Sequence, residues 1–211
     1  MSVILAFTAA LILILIGVVR ARKPKTVERP VFVKRYVHPG HTWARLTDDG
    51  YVAVGIDEFA QAVIGTIDGI KFPRLLRRVR QGAVGWSITH GNRVVPMLSP
   101  VDGWVVEKNE MVALNPSLVN TAPYGDGWLF KVRPRKIKVQ QANLFTGKVA
   151  QQWQDAARAQ LSRLFTGTPA LMYQDGGVLM KNLCDRCSDD EWKKIVEQFF
   201  LVEGVTSNKE K

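Results

Sequence analysis

Residues 86–106 of the 211-residue chain, WSITHGNRVVPMLSPVDGWVV, constrain its fold more tightly than any other stretch. Ser87, Ile88 and Thr89 climb as a strand into His90-Gly91-Asn92-Arg93, and Val94 and Val95 return as a second strand. Gly91 and Asn92 at the tip are the residue types that tolerate the positive φ a two-residue hairpin turn requires. A second turn follows in Ser99-Pro100-Val101-Asp102-Gly103, where proline presets φ and glycine closes the reversal. On turn chemistry alone this is an ordinary β-hairpin. Its surroundings decide whether it is more.

Those surroundings are β-patterned too. Val31-Phe32-Val33 and Arg35-Tyr36-Val37 read as short strands. HTWARL at 41–46 alternates, Asp48-Asp49-Gly50 turns the chain, and YVAVGI at 51–56 alternates back. Asp57 caps a short helix, Glu58–Ile64, which Gly65 stops. Residues 66–72 form a strand, 74–81 a basic loop, 115–120 a helical turn, 123–127 a loop and 128–132 a closing strand. Many short strands at close spacing predict a compact all-β barrel or sandwich with small helices.

The last third changes period. Val149, Trp153, Ala156, Ala157, Leu161, Leu164 and Phe165 follow i, i+4, i+7, i+8 spacing, with Gln160 the one polar member, and Gly167 and Pro169 end that helix. Tyr173-Gln174-Asp175-Gly176-Gly177 is a turn before a short helical piece over 178–183. Ser188-Asp189-Asp190-Glu191 is a capping box, and Trp192, Ile195, Val196, Phe199 and Phe200 form one apolar face behind it. Exposing two such stripes is unfavourable at about 25 cal/mol per Å². They pack on each other, on the barrel or on a partner, and the partner reading makes Trp192 and Phe199 candidate interaction residues.

Residues 3–19, VILAFTAALILILIGVV, carry no charge. As a helix they span roughly 26 Å, slightly short of the roughly 30 Å hydrocarbon core, a difference flanking residues make up. A cleaved signal peptide fits less well: no basic residue precedes the run and no A-x-A-like site follows it. Arg20, Arg22, Lys23 and Lys25 come directly after, so the positive-inside rule keeps that end cytoplasmic. The expectation is a single-pass anchor in the inner (cytoplasmic) membrane with the rest of the chain inside. The basic linker that follows runs along lipid headgroups, at about 1 kcal/mol per basic residue, or serves only as an orientation signal.

Net charge is +10 and the pI about 9.8, a balance that suits an acidic partner. Lys71, Arg74, Arg77, Arg78 and Arg80 form one cluster, and Lys131, Arg133, Arg135, Lys136 and Lys138 another. The anionic inner leaflet or an acidic protein face suits a tethered domain better than nucleic acid, which usually adds aromatic platforms among the basic residues. A merely solvated basic face is the plain alternative.

Signals for catalysis are weak. His38 and His41 share a loop, HPGH, and metal binding would need a third and usually a fourth ligand, so a strand start with solvated histidines is expected. Cys184-Asp185-Arg186-Cys187 has neither a thioredoxin-like setting nor a second pair for zinc, and reads as two incidental thiols, with a zinc shared between protomers as the alternative. There is no glycine-rich phosphate loop, serine elbow or recognisable carboxylate pair. No catalytic or metal-ligating residue is assigned, and no enzyme is expected.

Four motifs, in order, add to this reading. They are HTWARL, VAVGIDEFAQAVIG, LSPVDGWVVEKNE and NPSLVNTAPYGDGWLFKVRP, within residues 36–134. This part of the chain resembles the H protein of the glycine cleavage system. The resemblance implies a flattened barrel of two short sheets, of the lipoyl/biotinyl-carrier type. It also implies a lysine at the hairpin tip, which a ligase converts to lipoyl-lysine. Counted without gaps from Gly55, that position is Asn92, and no lysine occurs between Lys71 and Lys108. An acidic residue expected shortly before the lysine is replaced by Thr89. An asparagine amide offers no amine for the link, and Arg93, charged at neutral pH, is no substitute nucleophile. No lipoate or other cofactor is therefore expected.

The sequence thus predicts a mainly β, H-protein-like domain at 35–134. An anchor at 1–19 and a basic linker at 20–34 precede it, and a helical extension at 135–203 and a flexible tail at 204–211 follow. Its expected role is a non-lipoylated adaptor, with His90, Gly91, Asn92, Arg93, Arg74, Arg77, Arg78, Arg80, Trp192 and Phe199 as the interaction surface and an unidentified protein partner. Two alternatives stand beside it: a lipoyl-relay component, and an enzyme with its site between the barrel and the C-terminal helices. Oligomeric state is left open.

Overall fold

The computed structural model describes residues 34–164, 173–174, 178–179 and 182–203. The expected anchor, the linker up to residue 33, the strand at 31–33, the helix end at 165–169 and the tail at 204–211 lie outside the described residues. Among the described residues no helix is long and apolar enough to cross a membrane.

The alternating segments become two antiparallel sheets. The larger has six strands: β1 (Arg35–His38), β2 (Thr42–Leu46), β3 (Val52–Ile56), β9 (Phe130–Pro134), β8 (Gly103–Lys108) and β5 (Arg78–Val79), in that spatial order. The smaller has three, β4 (Gly69–Lys71), β6 (Val84–His90) and β7 (Arg93–Leu98). Apolar residues of both sheets face one core, where Trp86 of the small sheet meets Phe130 of the large one edge to face at 5.0 Å. Helix α1 (Glu58–Ile64) buries Phe59, Ala60, Val63 and Ile64. As expected, Asp57 caps it, accepting from the Ala60 amide at 2.9 Å, and Gly65 closes it at φ 86°. Short helices α2 (Glu110–Leu114) and α3 (Leu118–Thr121) precede β9.

The hairpin β6–β7 has the expected two-residue tip, with one difference. Only Gly91 takes positive φ (55°), as a turn with glycine in the first central position requires. β7 runs through Pro96, opposite Ser87, which is tolerated because β7 is the free edge of its sheet. The segment expected as a basic loop contains a short strand, β5, because Arg78 and Val79 complete the edge of β8.

The C-terminal third consists of α4 (Ile137–Gln141), α5 (Gly147–Leu164), strands β10 (Tyr173–Gln174) and β11 (Val178–Leu179), a 3₁₀ turn (Leu183–Arg186) and α6 (Asp189–Phe199). Two expectations fail here. Of the helical piece expected at 178–183, Val178–Leu179 is instead a strand paired with β10, and Leu183 begins the 3₁₀ turn; residues 175–177, expected as part of a turn, lie outside the described residues. The buried stripe of α5 is Ala150, Ala157 and Leu161, while Val149 and Leu164 are exposed. The helix is rotated so that Trp153 meets His41 at 4.5 Å and Gln154 reaches Asp57. Both Trp-bearing stripes pack on the barrel, and Leu161, Leu183, Trp192, Ile195, Val196, Phe199 and Phe200 join its core. Helix α6 begins with the expected capping box between Ser188 and Glu191.

Candidate functional site

The tip of β6–β7 is the residue pattern's most specific feature, and the structure builds it from two sides. Gly91 and Asn92 are exposed. The Gly91 amide donates to Asp68 at 2.6 Å, which fixes the turn to the start of β4. The side chain of Asn92 has no partner among the described residues. Its two neighbours are held firmly. His90 Nδ1 lies 2.5 Å from the Thr66 carbonyl oxygen and Nε2 lies 2.5 Å from Asp185. Both ring nitrogens face acceptors, so the full set of bonds forms only with the imidazolium, which donates from both. Partial burial works against that charge, but the bonds to Asp185 and Thr66 and the carboxylates of Asp185 and Asp68 raise the His90 pKa above its ordinary value.

Arg93 makes the other half of the clasp. Its guanidinium donates to the Cys184 carbonyl, to the Cys187 carbonyl at 2.7 Å and to Asp189 at 3.2 Å. The same group lies 5.3 Å from the centre of the Trp192 ring. The carbonyls it satisfies belong to the 3₁₀ turn and its end, where helix-terminal acceptors lack intrahelical partners. One side chain therefore joins the 3₁₀ turn, the N-terminus of α6 and the hairpin. Cys184 and Cys187 are buried free thiols at this junction. Burial raises both pKa values above the usual thiol range despite Arg93, that of Cys187 to about 12, so neither is an activated nucleophile.

A second tie lies at the end of β1. His41 and Asp57 are both almost fully buried and 3.0 Å apart, and Gln154 of α5 donates to Asp57 at 3.1 Å. Burial disfavours the Asp57 carboxylate, but His41, the Ala60 amide and Gln154 hold its pKa below the ordinary value. Phe59 stacks on His41 at 3.9 Å, and Trp153 and Phe200 close the other sides. This corrects the expectation of solvated histidines: His38 and His41 are both buried, because α5 and the end of α6 cover this strand start. Among the described residues no group of three or more His, Cys, Asp or Glu could hold a metal ion.

The candidate interaction residues thus fall into three sets. Gly91 and Asn92 are presented outward, and Arg74, Arg77, Arg78 and Arg80 are exposed together on another part of the barrel. His90 and Arg93 are engaged by the chain's own C-terminal segment. Trp192 and Phe199 are not surface residues: Trp192 lies under Arg93, and Phe199 packs on Phe59 at 5.2 Å. Sequence reasoning missed Asp185, Asp68 and Thr66 as partners of the tip. Only the C-x-x-C spacing marked Asp185, and it pointed to the cysteines instead.

Comparison with known proteins identifies the family of this chain. A family model described as Glycine cleavage H-protein matches residues 34–156. Glycine cleavage system H protein 2 of Aquifex aeolicus is 34% identical over 110 residues, covering 52% of this chain and 68% of the relative. The glycine cleavage system H protein of Marinobacter nauticus is 39% identical over 93 residues, covering 44% and 72%. A crystal structure of a glycine cleavage system H protein from Mycobacterium marinum matches with a TM-score of 0.46 and 28% identity over 49% of this chain and 86% of that one. With the four motifs in order on a mainly β fold of two antiparallel sheets, the chain belongs to the glycine cleavage H-protein family.

Proposed function

We propose that this chain is an H-protein family member that carries no lipoyl arm and works by docking, as a membrane-held adaptor or accessory subunit. One observation carries the reading: the outward-facing tip residue is Asn92, and no lysine stands anywhere between Lys71 and Lys108. The swinging-arm chemistry of the family needs a primary amine on an exposed turn. Here the turn is exposed and the amine is missing. Family membership favours a carrier over an enzyme. An enzyme site between barrel and C-terminal helices has little to work with, since His41 and Asp57 in that position are sealed from solvent. The apolar run at 3–19 followed by Arg20, Arg22, Lys23 and Lys25 supports attachment to the inner membrane.

A lipoyl-relay role is the second reading, favoured by family membership alone. Intact mass of the full chain, purified from lipoate-replete cells, separates the two. An unmodified mass supports the docking role, and a lipoyl adduct overturns it. Detergent-solubilised pull-down then identifies the partner. One stoichiometric protein supports an adaptor, and recovery of glycine-cleavage enzymes supports the relay.

A further inference from the structure

The outer face of the six-stranded sheet, at its β5 edge, carries a row of alternating cations and aromatics. Arg78 lies opposite Trp104, and Trp104 lies opposite Arg133. The Arg133 guanidinium then sits 5.9 Å from the centre of the Tyr51 ring, just before β3. Residues directly opposite in antiparallel strands share a face, so these four side chains form one ladder across the sheet. Trp104, the second residue of β8, is 47% exposed although it is paired on both sides, with β5 and β9.

Beside the ladder lies the connection from β4 to β5. Leu75 and Leu76, adjacent in sequence, are 53% and 76% exposed, and Arg74, Arg77, Arg78 and Arg80 surround them. Loose loops commonly expose a leucine, but this loop is pinned. The Leu76 amide donates to the Val105 carbonyl at 2.8 Å, and the Val105 amide donates to the Arg77 carbonyl at 3.0 Å. Leu76 also adopts φ 59°, a left-handed conformation disfavoured for a residue with a Cβ. The backbone is thus fixed to β8 in a strained form that holds both leucines outward. Among the described residues, Arg74, Arg77, Arg78, Arg80, Arg133 and Arg135 have no carboxylate within ion-pair distance.

We propose that this face, Arg74 to Arg80 with Trp104, Arg133 and Tyr51, lies on an anionic lipid bilayer. Guanidinium groups pair with phosphate in a forked geometry, tryptophan and tyrosine settle at the headgroup level, and leucines enter the acyl boundary. The pair of leucines distinguishes lipid from single-stranded RNA, which would use the arginines and rings but gains no stacking from leucine. The proposal takes from the membrane-held reading only that the domain works beside a bilayer; residues 20–34 reach at most about 50 Å when extended. Lipid contact by the face itself is a separate claim.

The test uses the full chain with vesicles of phosphatidylcholine brominated in the acyl chains, with and without phosphatidylglycerol. The readout is the fluorescence difference between the parent and W104F, which isolates Trp104. Quenching of Trp104 in anionic vesicles, and its absence in neutral ones, is the expected result. R78Q/R133Q should weaken it about 25-fold, near fivefold per arginine. L75S/L76S should remove it, with near-UV circular dichroism unchanged in both variants. No quenching in anionic vesicles overturns the proposal. So does a Trp104 response to polyuridylate or polyglutamate without any response to lipid. Retention of the chain by neutral vesicles reports on residues 3–19 instead. Its loss with Trp104 quenching kept would refute the tether and support the surface.

Discussion

Arg93 is the residue whose removal tests the clasp most directly. In R93A the Cys184 and Cys187 carbonyls lose a charged donor, and hydrogen bonds to charged groups contribute about 1.5–3 kcal/mol. The ion pair with Asp189, more than half exposed, adds less than about 1 kcal/mol, and the Trp192 contact about 0.5–1 kcal/mol. After partial rehydration of the freed groups, local docking of the 3₁₀ turn and α6 should weaken by about 2–4 kcal/mol. Cys184 and Cys187 are buried beneath this contact, so their native-state reactivity with a thiol reagent measures its opening. At about 1.4 kcal/mol per factor of ten, labelling should accelerate about 30-fold to 1000-fold. A competing effect has the opposite sign. Arg93 lowers the Cys184 pKa against the larger effect of burial, so its loss alone would leave less thiolate and slow the reaction. N92A, one residue away and outside the clasp, should label like the parent. If R93A reacts no faster than N92A, the guanidinium does not hold the C-terminal segment on the hairpin.

Two further substitutions test the packing. Burial, then the charge of His41, lowers the His38 pKa to about 4 from about 6.5 unfolded, and its neutral ring accepts from the Gly40 amide at 3.0 Å. That stability is present above about pH 6.5 and lost as pH falls through about 4; the total is about 3 kcal/mol. His38→Asn should flatten this slope in urea denaturation between pH 7 and pH 4, and an unchanged slope would rule His38 out. A Cβ at Gly55 would lie 2.4 Å from the fully buried Trp43 ring, so Gly55→Ala forces the indole to move. It should cost at least about 2 kcal/mol, visible as a fall in Tm, and an unaltered Tm would mean the ring has room.

How much of this could be read from the chain follows from the range of each interaction. Asp57 with Gly65, Ser188 with Glu191, and the Gly91 turn are local devices, written within a few residues of where they act, and each appears as expected. The alternation of 41–46 and 51–56 marked the strands, which pair antiparallel with Trp43 opposite Gly55, a register the alternation alone did not specify. What stayed hidden is long-range. The partner of His90 lies 95 residues away and that of His41 sixteen away across a turn, and neither leaves a periodic trace. The two buried histidines looked solvated because α5, whose rotation is set by Gln154 meeting Asp57, covers them. Trp192 and Phe199 looked like a docking face for the same reason. An amphipathic helix announces that one side is apolar, not which surface it will cover.

Under the proposed role, the two departures at the hairpin point the same way. A carrier arm needs an amine at the tip, and it needs the flanks of the tip open to a ligase and to successive enzymes. Position 92 lacks the amine. Independently, His90 and Arg93 on either side of it are bound by Asp185, Cys184, Cys187 and Asp189, so part of the approach is occupied by the chain itself. Restoring lysine at 92 would correct only the first departure. A tip that had lost its amine by simple drift would have no reason to commit two flanking side chains to the C-terminal segment. Commitment of both, with Asn92 left outward, is what a fixed recognition surface requires, because a docking epitope gains affinity from being held in one conformation.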